Sequence, residues 1–286
     1  MNPIQNLLLA VGFSEHSSIT LKGAIQFCVE NGSTLSLIHV VPVGGQNSKE
    51  HIKIYEQQLA DIADNVKKQN VNVPNTRVVV GEIEDQVIKY ADLLKVDGIL
   101  VGSGNYHHNK KHRLGGNAEA ILRNSSLPVL IIKDILLPLK GKIVCPIDLS
   151  QFSESILNTA IEYAKNVGGE LVIVHALEPS PYGYRITDLE YVYAEKNFYH
   201  DLAVPLENFL KNIDFKGVPN TIKILIGQAT YEVPEYIKKL PFSMTIVGSA
   251  SRKGLSRLVL GSVAETIIRN TDSPCLVLKP ICNNAE

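Results

Sequence analysis

Two kinds of hydrophobic spacing alternate along the chain. Short unbroken runs of Val, Ile and Leu, such as "NLLLAV" (Asn6–Val11), "LSLIHVV" (Leu35–Val41) and "DGILVG" (Asp97–Gly102), have the length and residue types of strands buried on both faces. Between them lie polar stretches with apolar residues at helical spacing. "AIQFCVENG" and "AIEYAKNVGG" end two of these with the glycine expected at a helix C-terminus. Read in order, each half of the chain predicts βαβαβαβαβ, the pattern of a parallel sheet covered by helices on both faces.

The halves are copies. "LLLAVGFSEHSSITLKGAIQFC" is answered by "KIVCPIDLSQFSESILNTAIEYA", with Ser14 matching Ser150, Ser17 matching Ser153 and His39 matching His175 at one constant offset. "AEAILRNSSLPVLIIK" is answered by "AETIIRNTDSPCLVLK", where the offset is ten residues larger. The excess therefore falls between His175 and Gly227, in a stretch holding Tyr182, Tyr184, Tyr191 and Tyr193. A lid, a partner-binding segment or plain amphipathic packing all fit it. Pro138 and Gly141 in "DILLPLKGK" mark the joint, so the expected domains are 1–136 and 137–286.

A five-stranded sheet wound in the flavodoxin-like order 3-2-1-4-5 places a ligand outside the C-terminal ends of strands 1 and 4. In the second half those ends are "VCPIDLS" and "VGSASRKGLSRLVLGSVAETIIRN" (Val247–Asn270). The latter fits neither the P-loop nor the dinucleotide GxGxxG spacing. Asp148 offers an acceptor, and Gly248 leaves bare backbone for a flat ligand. Ser251 adds a hydroxyl, while Arg252 and Lys253 add charge. Gly261 and Ser262 open a helix whose first amides suit an anion. Ser262 with Glu265 also spells a capping box, the structural alternative for the same residues.

Composition narrows the setting. The chain has 286 residues, 45% hydrophobic and 20% charged, with a net charge of −1, so no global field recruits nucleic acid. No apolar run reaches the ~18 residues of a transmembrane helix, and no signal-peptide pattern opens the chain. Cys28, Cys145, Cys275 and Cys282 form no CxxC and are expected as reduced thiols of a cytoplasmic protein without membrane insertion.

At these residues the chain resembles the universal stress protein family, whose nucleotide-binding members carry G-x2-G-x9-G-S/T. Gly248, Ser251 and Gly261-Ser262 keep that spacing, with Ser251 where glycine is usual. The resemblance covers nearly the whole chain twice and implies tandem domains of adenine nucleotide alpha hydrolase-like fold. It also implies a site residue by residue. Pro146, Ile147 and Asp148 would lie at the nucleoside, Ala176 at adenine, Val247 and Gly248 at the ribose, and Gly261, Ser262, Val263 and Ala264 with Ser251 and Arg252 at the phosphates. The implied ligand is ATP, ADP or AMP, with Mg2+ as an optional companion. Single domains of this family pair through their last strand. The two halves could therefore form that pair within one chain, with a further homodimer of tandem chains left open.

The first half departs from the motif. Gly12 stands for the aspartate, Asn105 for the second glycine and Gly116 for the Ser/Thr, while Gly102 and Gly115 remain. Nucleotide is therefore expected in the second half alone. His107, His108 and His112 in "NYHHNKKHR" read as a solvated basic loop rather than a metal site, and His39 and His175 as hydrogen-bonded strand-end residues. The function the resemblance implies is a nucleotide-sensing stress protein acting through conformation or partners, without catalysis. A slow ATPase and a scaffold for a non-nucleotide ligand are the alternatives.

Overall fold

The computed structural model describes residues 4–103, 114–133, 141–178, 203–240, 243–249 and 260–279. The first half runs β1 (Asn6–Ala10), α1 (Glu15–Asn31), β2 (Thr34–Val41), α2 (Lys49–Lys67), β3 (Thr76–Val80), α3 (Ile83–Leu94), β4 (Gly98–Gly102), α4 (Gly116–Asn124) and β5 (Val129–Ile132). The second half runs β6 (Lys142–Pro146), α5 (Ser153–Val167), β7 (Glu170–Leu177), a helix α6 across 203–210 and β8 (Asn220–Ile226). It continues through α7 (Ala229–Lys238), β9 (Ser243–Gly248), α8 (Ser262–Asn270) and β10 (Cys275–Leu278).

Local chemistry sets several boundaries. Ser14 Oγ accepts the Ser17 amide to start α1, and Gly32 and Gly168 end α1 and α5 at φ 66° and 63°, the left-handed region that favours glycine. Strand order is β3-β2-β1-β4-β5 in one half and β8-β7-β6-β9-β10 in the other, the expected 3-2-1-4-5 twice, all parallel within each half. Alternate residues feed two cores on opposite sheet faces. Leu7, Leu9, Ile143 and Cys145 pack with α1, α2 and α5, whereas Leu8 and Val144 pack with α3, α4, α7 and α8. Coverage is incomplete at the edges, where Val80, Ile222 and Ile226 are 42%, 47% and 41% exposed. The uniformly buried strands expected from the apolar runs hold for the inner strands; β3 and β8 have a neighbouring strand on one side only.

β5 and β10 pair antiparallel, joining the halves into one ten-stranded mixed sheet. Lys133, 1% exposed, follows β5 and donates Nζ to the Ile268 carbonyl in the last turn of α8. Lys279, 9% exposed, follows β10 and donates to the Leu122 carbonyl of α4. Each half thus lends a cation to the negative end of the other half's last helix, a favourable placement for a charge. Arg269 reaches across to Glu119 at 3.7 Å, while Arg123–Glu119 and Arg269–Glu265 close ion pairs of 2.9 and 3.0 Å along their own helices.

Burial, with Arg123 adding repulsion, pushes the Lys279 ammonium from its ordinary 10.5 down to about 8. Between those values the unfolded chain binds more protons than the folded one, so this residue's contribution to stability rises with pH. Buried thiols Cys28, Cys145 and Cys275, each raised to about 12, act oppositely above their ordinary 9.0, and equally in any Lys279 variant. Unfolding curves of the native chain and Lys279→Met should therefore shift in favour of the native chain from about pH 8 to 10.5. A difference independent of pH contradicts this.

Candidate functional site

β6 and β9 are neighbours, yet the chain leaves β6 toward the α5 face and leaves β9 toward the α8 face. A cavity of about 320 Å³ lies where they part. One wall is Pro146, Ile147 and Asp148 from the end of β6, with Ala176 beside it on β7. Val247 and Gly248 from β9 and Gly261, Ser262, Val263 and Ala264 from the start of α8 make the facing wall. Ten of the twelve residues expected at the site thus meet around one space. Ser251 and Arg252 lie outside the described residues, as do Lys253, Asn105, the His107–His112 cluster, the tyrosine-rich stretch, the expected joint around Pro138 and Cys282.

Asp148 has a second task. Its Oδ1 accepts the Ser150 amide and the Ser153 hydroxyl, both at 3.0 Å, which ties the carboxylate to the first turn of α5. The carboxylate therefore reaches the cavity in a fixed orientation. In the first half Gly12 stands in its place, and Ser17 Oγ instead accepts the Gly12 amide at 2.8 Å. His175 Nδ1 bonds the Ile147 carbonyl and His39 Nδ1 the Val11 carbonyl, each at 2.8 Å, as expected of strand-end histidines.

The capping box does not form. Gly261, not Ser262, is the N-cap of α8, and no side chain caps it. Glu265 accepts Arg269 Nε at 3.0 Å instead, because that partner lies one turn along on the same helix face. The Gly261 amide bonds the Ser249 carbonyl, fixing the helix start to the end of β9. The amides of Ser262, Val263 and Ala264 have no acceptor within their own helix, as in any first turn, and these residues border the cavity. An anion placed there meets several donors and the positive end of the helix.

Other lining residues lacked a local sign in the sequence. Ser150 and Ser153 stood out only as repeat matches. Glu178 and, from α7, Ala229 and Val233 gave none, because Glu178 acts by accepting the Ala229 amide 51 positions away, at 3.0 Å. Among the described residues no group of three His, Cys, Asp or Glu is placed to hold a metal, and no helix is long and apolar enough to cross a membrane.

The family model for universal stress proteins matches the chain twice, over residues 3–133 and 141–279. The chain belongs to the universal stress protein family. A universal stress protein of Methanocaldococcus jannaschii is 28% identical over 138 residues, 48% of this chain and 81% of that one. Among solved structures, a universal stress protein from Archaeoglobus fulgidus covers 96% of this chain and 98% of its own at a TM-score of 0.70 and 20% identity. A functionally unknown protein from Pseudomonas aeruginosa covers 97% and 93% at 0.73 and 20%. These two share the fold of this universal stress protein across both halves.

Ser153 is fully buried, and its hydroxyl donates to Asp148. Asp148→Ala leaves that hydroxyl without its acceptor and should cost about 1–3 kcal/mol in urea unfolding. Adding Ser153→Ala should recover part of the loss. A double variant as unstable as the sum of the single changes contradicts the pairing.

Proposed function

We propose that the second half of this universal stress protein binds an adenine nucleotide, and that the chain acts by binding rather than turnover. The observation that carries this reading is the meeting of an oriented carboxylate, Asp148, and an uncapped helix start, Gly261–Ala264, across one cavity. The carboxylate suits hydroxyl or amine donors of a nucleoside, and the helix start suits phosphates. Gly248 gives the sugar side an approach free of side chain. ATP is the form we favour, and the α8 amides would serve as donors to its phosphate oxygens. Mg2+ would travel with the phosphates beside Ser262 Oγ, because the described residues provide no protein-only metal site.

Nucleotide occupancy would report a stress state through a change in conformation or partner choice. We read the β5–β10 seam, with its exchanged lysines, as the intramolecular counterpart of a dimer contact. The buried, unpaired thiols Cys28, Cys145 and Cys275 suit a reducing, cytoplasmic setting.

Two substitutions test the reading with opposite effects on stability. Asp148→Ala removes a charge-assisted anchor worth about 1.5–3 kcal/mol, so ATP affinity should fall roughly ten- to a hundredfold. Ser262→Asp puts a negative charge on the exposed first turn of α8. It should leave stability unchanged or raised by about 0.3–1 kcal/mol while repelling phosphate and weakening ATP at least tenfold. Calorimetric titration checks both. Unaltered ATP affinity in either folded variant counts against the site.

A further inference from the structure

We propose, on the reading of the second-half cavity as a nucleotide site, that Glu178 selects its base. Glu178 accepts a hydrogen bond from the exocyclic amine of a 6-aminopurine and disfavours a 6-oxopurine. Strand order decides which end of the ligand meets which wall. β9 and β7 flank β6 and so lie two strand spacings apart, about 10 Å. α8 follows β9, and its first-turn amides draw phosphates to that side. The base of the same ligand then extends toward β7 and α7.

That end suits an aromatic ring. Ala176 from β7 and Ala229 and Val233 from α7 line it, and all three belong to the apolar core on that face. Ala229 and Val233 are four positions apart, one above the other on α7. A ring laid against them removes apolar area from water. Glu178, exposed and directly after β7, is the charged side chain bordering this end of the cavity. Pro42 stands at its place in the first half and offers no side-chain acceptor.

One oxygen of Glu178 is committed and the other is not. Oε1 accepts the Ala229 amide at 3.0 Å, which satisfies the start of α7 and holds the carboxylate beside the apolar wall. Among the described residues Oε2 has no partner. A single free acceptor matches a single donor, the exocyclic amine of adenine. The paired N1 and N2 donors of guanine suit both oxygens of a carboxylate, and here one is taken. A carbonyl at position 6 sets acceptor against acceptor, and a polar group left unpaired costs affinity. Because Glu178 is exposed, water competes for Oε2 and keeps the preference moderate.

Calorimetric titration of the full chain with ATP, ITP and purine riboside triphosphate reads this contact, since their bases carry an amine, a carbonyl and a hydrogen at position 6. ATP should bind roughly tenfold more tightly than ITP, with purine riboside triphosphate between them. In Glu178→Gln the side-chain carbonyl keeps the Ala229 amide, because only the oxygen accepts, and the NH2 group turns toward the base. The ratio of ATP to ITP affinity should then fall at least fivefold. A role confined to the start of α7 would move thermal unfolding and leave that ratio unchanged. The native-chain comparison decides alone if Glu178→Gln does not fold. ITP bound as tightly as ATP by the native chain, or an unchanged ratio in the folded variant, overturns the assignment and leaves nucleotide binding standing. Absence of nucleotide binding to the native chain overturns both.

Discussion

Adjacent parallel strands that send their chains to opposite faces of a sheet cannot close the space between the departing backbones. In this protein that constraint acts at β6–β9 and again at β1–β4, and each time a cavity lies at the divergence. Because parallel crossovers run in one hand, the divergence lies at the C-terminal edge of the strands, where helix N-termini also gather. Other features of the two sites depend on it. Asp148 sits at the end of β6, the α8 amides come from the element after β9, and the two meet because the winding reverses between them.

Duplication gave the same crevice twice, and substitution set the copies apart. The scaffold parts agree closely: Ser14 and Ser150, Ser17 and Ser153, and histidines bonded to the same carbonyl position at the same distance. The differences fall on the residues that carry charge, Asp148 against Gly12 and Glu178 against Pro42. Keeping the hydrogen-bonded frame while removing the acids changes what the crevice can solvate without altering how it is built. The exchange of Lys133 and Lys279 across the seam shows the same economy, since one interaction made twice ties both last helices to the opposite half.

Much of this was legible in the chain because it depends on spacing. Buried strands declare themselves as Val, Ile and Leu runs, Gly32 and Gly168 mark left-handed caps, and the internal match places equivalent residues at equivalent strand ends. What escaped depends on contacts between distant segments. The capping box was a sound local pattern, but Gly261 took the cap position and Arg269 drew Glu265 away. The anchoring of Asp148 by Ser153 required the first turn of α5 to face back toward β6, and Glu178 became visible only once β7 lay beside α7. Nor could sequence show that Lys133 and Lys279 are buried, because the elements burying them belong to the other half.

The central claim is that the crevice with Asp148 binds an adenine nucleotide and its twin, with Gly12 in that place, does not. Binding stoichiometry of ATP on the full chain, measured by calorimetry, tests this most directly. One nucleotide per chain is the predicted result; two equivalent sites, or none, would contradict it.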